Sequence, residues 1–163
     1  MQIKGLDGIV ILVKDLKKAT SLYSKLLGYG PLTSGPFKKE LAIDKPGHRS
    51  RLRMLGMPGN WYIELQEPQE GPKAKFLKEK GEGSVYALSF LVDDIERAYD
   101  ELKKEGINPV VSPPWLSDQP PSEDKKYFPG LAGEKIFFLP FDKTGGIYIE
   151  LVERHFNIEP CSE

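Results

Sequence analysis

One strand-to-helix pattern is written twice in this chain, and that duplication narrows the possible folds more than any other feature. Gly8-Ile9-Val10-Ile11-Leu12-Val13-Lys14-Asp15-Leu16 and Ala87-Leu88-Ser89-Phe90-Leu91-Val92-Asp93-Asp94-Ile95 align residue for residue without a gap. Each copy is a short apolar run, an acidic helix cap and the start of an amphipathic helix. A second pair follows in the same order: Trp61-Tyr62-Ile63-Glu64-Leu65 and Ile147-Tyr148-Ile149-Glu150-Leu151. A Tyr-Ile-Glu-Leu tetrapeptide therefore closes each half. Two elements recurring in fixed order indicate one module duplicated in tandem.

The spacing of strands, caps and breakers predicts an α+β chain of two βαβββ modules, at residues 1–68 and 84–154. A linker helix is expected at 69–83, and a polar tail that frays at 155–163. In the first module the strands fall near 3–13, 37–43, 51–55 and 61–66. Its helix begins after Asp15 and stops at Gly28. Pro72 and Gly81 bracket the linker helix. The second module repeats the order, with a helix capped by Asp94 and strands near 85–92, 110, 135–140 and 146–152. A proline-rich loop at 112–134 interrupts it, and its Trp115, Tyr127 and Phe128 suit a lid or binding loop.

Half of 163 residues buries little surface alone, so the modules are expected to lean on each other or on a partner chain. A homodimer that covers sheet edges and apolar faces is the expected assembly. Basic and acidic residues number 23 and 24, a net charge of −1, which excludes a nucleic-acid or anionic-membrane surface built on basic excess. The short basic row Arg49, Arg51 and Arg53 does not change that balance. With Cys161 as the single cysteine, no intrachain disulfide can form. The sequence carries no signal-peptide pattern. It also lacks any apolar run near the ~18 residues a bilayer span needs. A soluble cytoplasmic protein is expected.

Two such modules, each closing on a glutamate-bearing strand, resemble the vicinal-oxygen-chelate superfamily of glyoxalase I, bleomycin resistance proteins and extradiol dioxygenases. The closest local likeness is to methylmalonyl-CoA epimerases. It rests on Gly28, on Pro72-Lys73-Ala74-Lys75-Phe76-Leu77 with Gly81-Glu82-Gly83, and on Val92-Asp93-Asp94-Ile95. The resemblance implies a curved mixed sheet around a cleft that holds a divalent metal. Its ligands would come from the first and last strand of each module, histidine at the opening positions and glutamate or glutamine at the closing ones. Here the closing positions carry Glu64 and Glu150, while the opening positions carry Gly8 and Ala87, which offer no donor. Neither His48 nor His155 stands where the pattern places a ligand. No metal ligand is assigned and no cofactor is expected; two carboxylates with waters would hold Mg²⁺ or Mn²⁺ only loosely.

The residue pattern then suggests chemistry without an ion. Two carboxylates close together in an apolar cleft do not both ionise readily, so one is expected to titrate high and serve as a general acid or base. Glu64 and Glu150 are the expected proton-transfer pair, with Arg53 as an anion partner. Strand alternation adds Tyr62, Gln66, Ser89 and Tyr148 to the substrate-facing set. Gly8, Ala87 and Trp115 complete it. The expected activity is a metal-independent isomerase or lyase acting on a small acid or acyl thioester. The competing expectation is a non-catalytic protein that sequesters an apolar or aromatic small molecule in the room left at Gly8 and Ala87.

Overall fold

The computed structural model describes residues 1–111 and 124–162. It divides into two compact units, Gly8–Tyr86 with Phe156–Glu163, and Ala87–His155 with Met1–Asp7. Met1–Asp7 thus fall in the second unit, and the C-terminal residues from Phe156 in the first. The first residues join the second unit because Arg154 donates to Asp7 at 2.5 Å, both side chains 2% exposed, and the Met1 ammonium pairs with Glu101.

The first unit begins within strand β1 (Ile3–Leu12) and continues into helix α1 (Leu16–Leu27). Asp15 caps α1 by accepting from the Lys18 amide at 2.9 Å, and Gly28 ends it with φ 75, a left-handed turn that suits glycine. After the two-residue β2 (Tyr29–Gly30) come β3 (Leu41–Lys45), β4 (His48–Met57) and β5 (Trp61–Glu70). Their order in the sheet is β3-β4-β5-β1, with β5 parallel to β1 and the other pairs antiparallel. Leu16 and Ala19 of α1 pack on Ile11, Val13, Leu55, Met57, Ile63 and Leu65, which all lie on one side of the sheet. Helix α2 (Pro72–Lys80) closes the unit, with Pro72 in its first turn.

The second unit repeats the plan with β6 (Ser84–Val92), α3 (Ile95–Lys104), β7 (Phe128–Pro129), β8 (Lys135–Phe138) and β9 (Tyr148–Glu153), ordered β6-β9-β8-β7. Asp94 caps α3 through the Arg97 amide at 2.9 Å. Ile95, Ala98 and Leu102 pack on Val92, Phe137 and Leu151.

Four expectations need correction. The strand foreseen at 37–43 starts only at Leu41; Phe37 lies in the turn after Gly35 and Pro36, 2% exposed. Val110 makes a single bridge to Phe138 rather than a strand. The end of the 112–134 loop is paired, because Phe128 lies opposite Ile136 and Gly130 donates to the Glu134 carbonyl at 2.7 Å. The C-terminal segment does not fray. Ile158 is buried and donates to Asn60 Oδ1 at 2.7 Å, and β10 (Cys161–Ser162) pairs with β2. Among the described residues no helix is long and apolar enough to cross a membrane.

Candidate active site

Register decides which side chains share a face, because strand side chains alternate and laterally paired residues point the same way. In the first unit, three rows cross the face opposite α1. Gly8, Tyr62 and Gly56 form the first; Val10, Glu64 and Met54 the second; Leu12, Gln66 and Leu52 the third. Glu64 is half-buried in the middle row. Gln66 is fully buried, and its Nε2 donates to Glu64 Oε1 at 3.1 Å. The carboxylate is thereby fixed in orientation on an otherwise apolar surface.

The second unit presents an equivalent face. Ser89 lies opposite Glu150, Ala87 opposite Tyr148, and Phe138 flanks Glu150 on the other side. The buried Ser89 hydroxyl donates to Glu150 Oε2. Tyr148 packs against Phe141 and Phe138, with ring centroids 4.6 and 6.2 Å away. Each unit therefore places one glutamate on its helix-free face, steadied by a buried neutral donor: an amide in one, a hydroxyl in the other.

Glu64, Gln66 and Tyr62 share one unit's face, and Ala87, Ser89, Tyr148 and Glu150 share the other's. Arg53 does not join them, which corrects the expectation of an anion partner. It lies opposite Leu65, on the α1 side of the sheet, and its Nη1 donates to the Lys38 carbonyl at 3.1 Å. Met54 takes the place beside Glu64, since one residue along a strand reverses the face. Arg53→Ala should therefore change stability by no more than about 0.5 kcal/mol and leave any turnover intact, as urea unfolding and kinetics would check. The rest of the basic row is paired: Arg49 with Glu70 at 2.8 Å and Arg51 with Glu67 at 3.0 Å. Trp115 lies outside the described residues.

Gly8 is not open room. A Cβ built there would stand 2.4 Å from Tyr62 Cε2 and 2.7 Å from Cζ, so the phenol ring occupies the space a side chain would take. Ala87 is buried. A metal held through opening histidines thus has no donor at either position. Among the described residues, no three His, Cys, Asp or Glu side chains gather as a metal-holding group. Gly8 and Ala87 do not fit the histidine-and-glutamate set that the family resemblance implies.

Two carboxylates escaped the sequence reading although the repeat signals them, because the shared stretch extends to a sixth residue. Glu67 Oε2 accepts from the Leu16 amide at 2.7 Å, and Glu153 Oε2 from the Ile95 amide at 2.9 Å. Each pins the N-terminus of its module's helix to the closing strand, where a negative charge meets unpaired amides. Burial pushes the Glu153 carboxyl up, but the Ile95 amide, Lys135 at 3.2 Å and His155 outweigh it, leaving it below the usual carboxylate range. A carboxyl depressed in the folded state adds stability above its unfolded value of about 4.3, and loses it as pH falls through the folded one. Glu153→Gln should cost about 1–2 kcal/mol at pH 7. In urea unfolding, that difference should shrink at pH values below the folded titration.

With the geometry established, similarity to known proteins adds to it. Residues 7–119 match the Glyoxalase/Bleomycin resistance protein/Dioxygenase superfamily. The mitochondrial methylmalonyl-CoA epimerase of Homo sapiens is 28% identical over 148 residues, spanning 90% of this chain and 72% of the relative. The ethylmalonyl-CoA/methylmalonyl-CoA epimerase of Cereibacter sphaeroides is also 28% identical, over 90% of this chain and 95% of its own length. Among solved structures, methylmalonyl-CoA epimerase from Mycobacterium tuberculosis aligns with a TM-score of 0.69 at 28% identity, covering 94% of this chain and 90% of that one.

Proposed function

Because the chain belongs to the glyoxalase/bleomycin resistance protein/dioxygenase superfamily, we propose that it is an epimerase-like isomerase that moves a proton on the α-carbon of a small acyl-CoA acid without a metal. The observation that carries this reading is the placement of Glu64 and Glu150, each on a helix-free face and each oriented by a buried neutral donor. The substrate class is inferred from the epimerase relatives.

In the proposed reaction one carboxylate takes the α-proton. The C–H bond breaks, and its electron pair delocalises as the thioester enolate. A protonated acid returns a proton to the opposite side of the same carbon. Nothing is oxidised or reduced, and proton exchange with solvent resets the pair. Tyr148, on the face of Glu150, is the proposed phenol donor to the enolate oxygen.

The alternative of a binder for an apolar or aromatic molecule drew on room at the Gly8 and Ala87 positions. The Tyr62 ring fills the space at Gly8, and so weakens it. The test is to incubate chelator-treated protein with one epimer of methylmalonyl-CoA and follow the other by chiral chromatography. Conversion that needs no added cation supports the proposal. Strict dependence on a divalent cation, or no conversion of any α-substituted malonyl thioester, overturns it.

A further inference from the structure

The C-terminal segment crosses the first unit's sheet at the row that holds Tyr62. Gly56 stands directly beside Tyr62 in that row, and a Cβ there would lie 2.8 Å from the Glu159 carbonyl, 3.2 Å from Pro160 Cα and 2.5 Å from Leu32 Cδ2. The backbone of the segment therefore rests on β4, on the same face as Glu64, and glycine is what lets it approach. Phe156 meets Phe37 edge-on at 5.5 Å, and Phe37 meets Tyr62 at 6.2 Å. Tyr62 in turn lies over Gly8. The Ile158–Asn60 hydrogen bond and the β10–β2 pairing anchor the segment on either side. The aromatic chain thus runs from the C-terminal segment to the row next to Glu64.

We propose that Tyr62 is the specificity-determining residue of the Glu64 face, and that the C-terminal segment holds it there through Phe156 and Phe37. The ring closes the Gly8 end of that face, so a short α-substituent on the substrate fits and a long one meets the phenol. Phe156 acts only through its neighbours and is a positioning residue. This inference rests on the proposed acyl-thioester reading for its ligand, while the packing on which it builds belongs to the first unit alone.

The experiment measures dissociation constants by calorimetry for malonyl-CoA thioesters whose α-substituent grows from methyl to butyl, with deuterium exchange at the α-carbon followed in parallel. The full-length parent is compared with Tyr62→Ala, Phe156→Ala and Phe156→Leu. One or more methylenes in an apolar site change affinity roughly 10–200-fold. Tyr62→Ala and Phe156→Ala should therefore raise the butyl-to-methyl affinity ratio at least about tenfold, and Phe156→Leu should restore most of the parent's preference. An unchanged ratio in folded Tyr62→Ala, or a uniform loss across the series in Phe156→Ala, overturns the inference. Binding with the expected length preference but no deuterium exchange rejects the proposed reaction and leaves the specificity assignment supported. If the parent binds none of the thioesters, both readings fall.

Discussion

Glu64→Gln and Glu150→Gln are each expected to lower inversion of the α-carbon by about a thousandfold, within the 10²–10⁴ that a positioned acid or base supplies. Solvent deuterium exchange at the α-carbon should fall with it, for one epimer more than the other in each variant. Glutamine matches glutamate in shape and keeps a hydrogen-bonding group beside Gln66 or Ser89, so a folding defect is not the expected cause of the loss. Parallel thermal unfolding of both variants checks this. Equal, partial losses for both epimers in both variants would instead indicate that the carboxylates hold the ligand without exchanging protons.

The second large effect concerns Gly8, the position at which the family resemblance implies a histidine. Gly8→His should not create a metal site. It should destabilise the protein, because the new Cβ enters the Tyr62 ring at 2.4 Å, on a strand whose backbone is fixed by pairing with β5. Overpacking of this kind costs about 2–3 kcal/mol. In a chain of this size that is roughly 5–10 °C in Tm. Adding Tyr62→Ala to Gly8→His should recover part of the loss, so the pair should be strongly non-additive in a double-mutant cycle. A Gly8→His protein as stable as its parent would mean that Tyr62 moves aside at little cost. The space at Gly8 would then be available to a ligand, and the binding-protein alternative would regain its support.

The sequence disclosed the two-module fold because it states each module twice, with Asp15 and Asp94 as caps and Glu64 and Glu150 on closing strands. Three parts were harder to read. Arg53 alternates with apolar residues in β4, and alternation alone does not tell which face is which. Only the register, with Met54 opposite Glu64, placed it on the far side. Nothing in the sequence said that Tyr62 would lie over Gly8, since that contact joins β5 to β1 through side-chain orientation. The C-terminal segment looked polar, yet Phe156 and Ile158 stand two apart and supply the apolar contacts that fix it. That period-two signal was present but too short to stand out. Glu67 and Glu153 were legible in principle, as the sixth residue of the repeat, and their role became clear only when each was found on a helix amide.

The most direct measurement is the fate of the α-hydrogen when metal-stripped parent protein acts on a single epimer of methylmalonyl-CoA in D2O. Proton removal and return by separate groups should yield inverted product that carries deuterium at that carbon, while the unconverted starting epimer stays largely protiated early in the reaction. Inverted product that retains its original hydrogen, or a reaction that begins only when a divalent ion is added, would contradict the proposed metal-independent proton transfer.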